Sequence, residues 1–272
     1  MYKPLVNAKI GIVTYNPTVT PTPTIYTNQN GEFLYSLNVY PDQVTVYVFF
    51  ENSKINLRGH TTTHSDSKIT MKMINPPPYF IPGDEYQNID FDFTGRKADY
   101  SKIFMLGNYA ADFTINNGYT PPQCIIKYPA EESIINGITL QQVNNSFYWP
   151  FPDVTAVDLI GFLNPLIPIL YFTGHEFIIT ERTVYITLSE AGINCRSTVF
   201  HEYAHFLMHT KRGNWPVSFA EYISGVVPFE HYWGSNSQNE RLALIEGWAN
   251  FYASAVESWL FNPSSPYAGR YV

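Results

Sequence analysis

Charge is scarce in this chain: Asp, Glu, Lys and Arg make up only 14% of its 272 residues, against about 25% in a typical soluble protein. Cations are the scarcer sign, with 16 Lys and Arg facing 23 Asp and Glu for a net charge of −7. No basic run is longer than Lys211-Arg212. That excludes nucleic acid as a partner, because displacing counterions from phosphates needs clustered cations. Cysteine is nearly absent as well. Cys124 and Cys195 match no zinc-ribbon spacing and are too few to fix a redox compartment. No stretch approaches the roughly 18 apolar residues of a transmembrane helix. The opening Met1-Tyr2-Lys3-Pro4-Leu5-Val6-Asn7 lacks the apolar h-region of a signal peptide. Aromatic side chains, by contrast, are abundant: 17%, including 21 Tyr and 19 Phe. A surface made polar by Asn, Thr, Ser and Tyr favours an extracytoplasmic setting, secreted or at a cell surface, with the export signal outside this chain.

The first 75 residues read as strands. Lys9–Tyr15 is β-prone, and Glu32–Val39 places Phe33, Tyr35, Leu37 and Val39 on one face. Val44–Phe50 and Lys68–Ile74 repeat the period of two expected of half-buried strands. Asn28-Gln29-Asn30-Gly31 is a turn signal in which Gly31 can take positive φ. Strands at this spacing with no helix between them predict an antiparallel sandwich over 1–75. His60 and His64 lie on a Thr-rich, strand-favouring stretch, where positions i and i+4 are about 13 Å apart, so they are surface histidines and not a metal pair.

Ala8-Lys9-Ile10 followed by Thr27-Asn28-Gln29-Asn30-Gly31-Glu32-Phe33 resembles the prealbumin-like domains related to carboxypeptidase regulatory modules. The insertion from Pro17 to Thr24 departs from the short loop of that family. The resemblance implies a non-catalytic accessory module, offering a surface for glycan or protein.

Asn75-Pro76-Pro77-Pro78 excludes helix and central strand, so 76–94 is a linker. Beyond it, 95–272 predicts an α+β domain. Tyr100–Phe113 is a helix with apolar positions at 103, 106, 110 and 113, Cys124–Tyr128 a buried strand, and 154–163 a further helix. One or two strands occupy 166–188, best at Thr183–Leu188.

The chemistry enters at His201-Glu202-Tyr203-Ala204-His205, an HExxH pattern. On a helix the two histidines share one face and can reach one metal ion, with Glu202 beside them as general base for an activated water. A catalytic zinc takes a third protein ligand. Met208 and Lys211 occupy the places of the glycine and histidine of HExxHxxGxxH, and no Asp follows Asp158. His209 lies one helical turn too far along the axis. Glu221, Glu230, His231, Glu240, Glu246 and Glu257 are then the choices. Glu246 stands out because it falls inside the apolar stripe Leu242, Ile245, Ala249, Ala253, Val256 of a helix over 239–256. A buried carboxylate is costly without a cation. Gly247 beside it suggests close packing, and Asn250 is placed one turn on to orient a ligating imidazole.

HEYAH followed by Glu246-Gly247-Trp248-Ala249-Asn250 resembles the gluzincin metallopeptidases, with Asn250 where those families often carry Asp. The resemblance implies a zincin-like α+β catalytic domain behind an all-β sandwich, two domains in one chain. By it His201, His205 and Glu246 hold Zn²⁺, Glu202 is the general base, and the substrate is a protein or peptide. For the oxyanion donor, His231 and Tyr232 rank first because they sit in the aromatic stretch between the two metal helices; Tyr222 and Tyr252 follow. Two other classes are open: a non-enzymatic binding or adhesion protein with a zinc site, and a zinc hydrolase acting on a non-peptide bond.

Overall fold

The computed structural model describes residues 4–16, 18–21, 24–36, 43–58, 69–74, 91, 93–129, 134–135, 138–139, 146–149, 183–186, 195–214 and 240–261. Its N-terminal elements are β1 (Lys9–Asn16), β2 (Thr18–Pro21), β3 (Ile25–Tyr26), β4 (Gln43–Phe49), β5 (Ile55–Arg58) and β6 (Ile69–Ile74). The helix α1 (Arg96–Asn116) follows, then β7 (Cys124–Lys127), β8 (Ile134–Ile135) and β9 (Ile138–Thr139). Last come β10 (Phe147–Trp149), β11 (Thr183–Tyr185), α2 (Cys195–Arg212) and α3 (Glu240–Phe261). The expected helix at 154–163, His60, His64 and most of 166–188 fall outside the described residues, as does the proline run of the linker.

The first sheet runs β2-β1-β4-β6, with β3 also on β1. Its neighbours are antiparallel, as period-two patterning with one buried face requires. Ile10 sits opposite Val48 and Ile12 opposite Val46; all four are buried. At the turn, Gly31 takes φ 74, where a Cβ would also strike Pro4, and Asn28 Oδ1 accepts the amides of Asn30 and Glu32. Of the expected strand at Glu32–Val39, residues 32–36 keep the alternation in burial and join no ladder among the described residues; Phe33 and Tyr35 pack on the core, and 37–39 lie outside the described residues.

The second sheet has the order β10-β11-β7-β5. β5, β7 and β11 are parallel, and β10 is antiparallel at the edge. Of the described strands before residue 75, β5 alone lies in this second sheet. β5, whose Ile55, Asn56 and Leu57 are all buried, belongs with strands from beyond residue 120, and the sheet boundary does not coincide with the expected boundary at 75. The side chains explain why. Phe50, at the end of β4, packs its ring against Phe93, Tyr100 and Phe104. Asn52 then donates to Asn108 Oδ1 of α1 at 2.7 Å and to the carbonyl of Asn7 at 3.0 Å. Lys54 pairs with Asp112 of the same helix. One cluster of buried side chains runs from Ile10 and Val48 through Ile55, Leu57, Phe104 and Ile126 to Phe200 and Val256.

α1 lies directly on the second sheet. At Gly107 a Cβ would meet Ile55 Cδ1 at 2.9 Å and Ile126 Cδ1 at 3.2 Å, so the helix reaches that depth only with glycine there. Its stripe Ile103, Leu106, Ala110 is buried as the spacing predicts. α2 packs between this layer and α3, touching α1, α3, β10 and β11.

Candidate metal centre

α2 is helical from Cys195 to Arg212. His209, Lys211 and Arg212 lie in its last turn, where cations offset the helix dipole. Gly213, at φ 78, ends the helix with its N–H on the carbonyl of His209, a glycine C-terminal cap. The helix is buried on nearly every side, including Phe200, Tyr203, Ala204 and Phe206, so its roll about its axis is set by packing. That roll aims His201 and His205 at α3.

α3 supplies the other half. Ile245, Ala249, Ala253 and Val256 are buried, as the apolar stripe predicts, while Glu246 sits at the stripe's flank and is half-buried. His201 Nε2 lies 3.0 Å from Glu246 Oε2 and 3.1 Å from His205 Nε2, and His205 Nε2 lies 3.5 Å from Glu246 Oε1. The two imidazoles stand edge to face with centroids 4.7 Å apart. Asn250 Oδ1 is 2.9 Å from His201 Nδ1. An amide oxygen accepts only, so Nδ1 donates to Asn250 and Nε2 is turned toward the group.

Charge follows this geometry. Burial works against a charged His201, but the hydrogen bond to Glu246, the charges of Glu202 and Glu246 and the hydrogen bond to Asn250 outweigh it and push its pKa up to about 9. Burial lowers His205. Glu246 is held well below the usual carboxylate range: burial opposes ionisation, yet the two histidines prevail. A carboxylate and two imidazoles crowded together in this way could hold a metal ion.

His201, His205 and Glu246 are the one group of His, Cys, Asp or Glu among the described residues able to hold a metal, each offering one ligand atom within 4.8 Å of the others. The fit to a first-row divalent ion is close. Bonds of about 2.0–2.1 Å in tetrahedral arrangement put ligand atoms about 3.3 Å apart; the two Nε2 atoms are 3.1 Å apart, and each faces a different oxygen of Glu246, at 3.0 Å from His201 and 3.5 Å from His205. A site closed entirely by protein takes four ligands, and no fourth group joins these three among the described residues.

Glu202 is buried beside the group, and its charge acts on His201. Of the oxyanion candidates, His231, Tyr232 and Tyr222 lie outside the described residues. Tyr252 turns inward: its hydroxyl meets Thr114 Oγ1 at 2.7 Å and the carbonyl of Ala110 at 2.8 Å, so it packs inside the core against α1. At Gly247 a Cβ would meet nothing within 4 Å among the described residues, so the close packing expected there has no described partner. Cys124 is a free, buried thiol whose pKa burial raises, as expected of an inert core cysteine.

One pair went unread in the sequence. Tyr148 Oη of β10 lies 2.9 Å from His209 Nδ1 of α2, both side chains being buried. His209 continues the i, i+4 row of His201 and His205, a spacing visible in the sequence; nothing in Phe147-Tyr148-Trp149 announces its partner.

Comparison of the chain with family models, with curated proteins and with solved structures finds no match.

Proposed function

We propose that this chain is a zinc-dependent peptidase in which His201, His205 and Glu246 hold the metal and Glu202 is the general base. The observation that carries the reading is the convergence of three ligand atoms from two helices, with no fourth ligand among the described residues and a buried carboxylate beside them. Zinc bound there supplies a Lewis acid that acidifies water and polarises a carbonyl. Asn250 fixes the tautomer and direction of the His201 ring. Glu202 accepts the proton of the attacking water and returns it to the leaving amine, the exchange expected of a carboxylate beside an HExxH metal site. His231 and Tyr232 are the proposed oxyanion donors.

The proposal extends to protein or peptide substrates met outside the cytoplasm, with the N-terminal strands offering a contact surface for glycan or protein. Among the described residues no helix is long and apolar enough to cross a membrane.

Metal analysis with peptide hydrolysis by wild type and Glu202→Gln tests the core of it. Zinc near one equivalent in both, with hydrolysis in Glu202→Gln reduced at least about 10³-fold, is the expected result, since losing the base removes general catalysis worth up to about 10⁴. Absence of zinc, or equal hydrolysis by the two proteins, overturns the mechanism.

A further inference from the structure

The face of α2 that carries Glu202 also carries Phe206 and His209, at i, i+4 and i+7. Tyr148 meets both of the latter. Its ring stands edge to face with Phe206 at 6.3 Å and with His209 at 5.9 Å, and its hydroxyl lies 2.9 Å from His209 Nδ1. Tyr148 is central in β10, so this outer strand of the second sheet lies against α2 at Phe206 and His209, one and two turns beyond Glu202. Among the described residues β10 has one ladder, three residue pairs with β11. A strand so short is weakly held by pairing alone, and the hydrogen bond from α2 is a second attachment.

A polar pair is a costly way to fill a buried contact. A phenylalanine facing a leucine would pack the same volume without desolvating two polar groups. A hydrogen bond adds direction, which apolar packing does not. We infer that His209 and Tyr148 form a positioning pair that fixes the distance between β10 and the Glu202 face of α2, and so the width of the substrate site on the side of the general base. His209 is a positioning residue here, acting through Tyr148 and the strand and not through the metal. The inference rests on the peptidase reading.

The test uses the full chain loaded with zinc and a fluorogenic peptide library, with Tyr148→Phe, His209→Leu and their double variant. A wall set loosely by an ångström misplaces substrate, so KM rises about tenfold in each single variant, with kcat within about twofold and zinc content unchanged. The double variant is no worse than either single one, because the two groups act as a unit. His209→Asn, which keeps a hydrogen-bonding atom near the place of Nδ1, restores most of the KM. A merely structural pair would lower the melting temperature and leave KM alone; that result overturns the inference, as does loss of zinc from Tyr148→Phe. Should His209→Leu fail to fold, Tyr148→Phe decides alone, since it removes one hydroxyl. A wild type that hydrolyses no peptide overturns the peptidase reading instead. Amide hydrogen exchange then judges the attachment: the Phe147–Trp149 amides exchange faster in Tyr148→Phe if it exists, and unchanged exchange sinks it.

Discussion

The two helices that meet at the candidate metal centre are embedded in different ways. α2 is enclosed, with Phe200, Tyr203, Ala204 and Phe206 all buried and neighbours on α1, α3, β10 and β11. α3 buries Ile245, Ala249, Tyr252, Ala253 and Val256 along one flank and leaves Leu244, Trp248 and Phe251 exposed on the other. Two ligands thus come from a helix whose orientation the core dictates, and the third from a helix docked by one side. Rigidity at such a site is asymmetric: α2 defines it and Glu246 completes it.

Truncating the core should break this comparison most visibly if it is wrong. Phe200→Ala is expected to cost about 3–5 kcal/mol by chemical denaturation, and Phe251→Ala on the exposed flank less than about 0.5 kcal/mol. Equal losses would mean that the two helices are embedded alike. Next in size is the hydrogen bond that joins them. Asn250→Leu leaves His201 unoriented and should weaken zinc binding about 10–100-fold in chelator competition. Asn250→Asp, which adds a charge to the same acceptor, should tighten it; wild-type affinity in both would remove Asn250 from the site. On the back of α2, Tyr203 Oη is buried without a hydrogen-bond partner among the described residues. Tyr203→Phe should therefore raise stability by about 1 kcal/mol, and a loss of that size would reveal a partner. Smallest is Gly247→Ala on the open side of α3. Helix propensity favours alanine by about 0.8–1.0 kcal/mol and nothing among the described residues blocks its Cβ. A modest rise in melting temperature is expected, and a fall would mean that something approaches that face.

The elements legible in the sequence were those whose signal is local. The stripe Ile103, Leu106, Ala110 of α1, the buried run at Cys124 and the i, i+4 histidines of α2 each announce their own geometry within one helical turn or one strand. Glu246 was legible because a carboxylate within an apolar stripe demands a reason, and Asn250 because it lies one turn on. β5 was not. Ile55-Asn56-Leu57 is buried throughout, so it carries no alternation, and its partner β7 lies nearly 70 residues away. Tyr252 and Tyr148 were indistinct for another reason. In a chain with 21 tyrosines, only the acceptor opposite each hydroxyl separates a core tyrosine from one that positions a strand, and both acceptors are distant in sequence. Gly247 was ambiguous because a helical glycine has two readings, contact and open space, that look identical in a string of letters.

The parallel pairing of β5 with β7 bears on how this protein can be divided. A fragment starting at residue 76 would keep both metal helices yet lose the outer neighbour of Cys124–Lys127, leaving a row of backbone N–H and C=O groups ready to recruit the same strand from another molecule. It would also bare the apolar side of α1 against which Phe50 rests. Solubility of the half that carries the candidate metal centre is thus expected to depend partly on the N-terminal stretch that covers it.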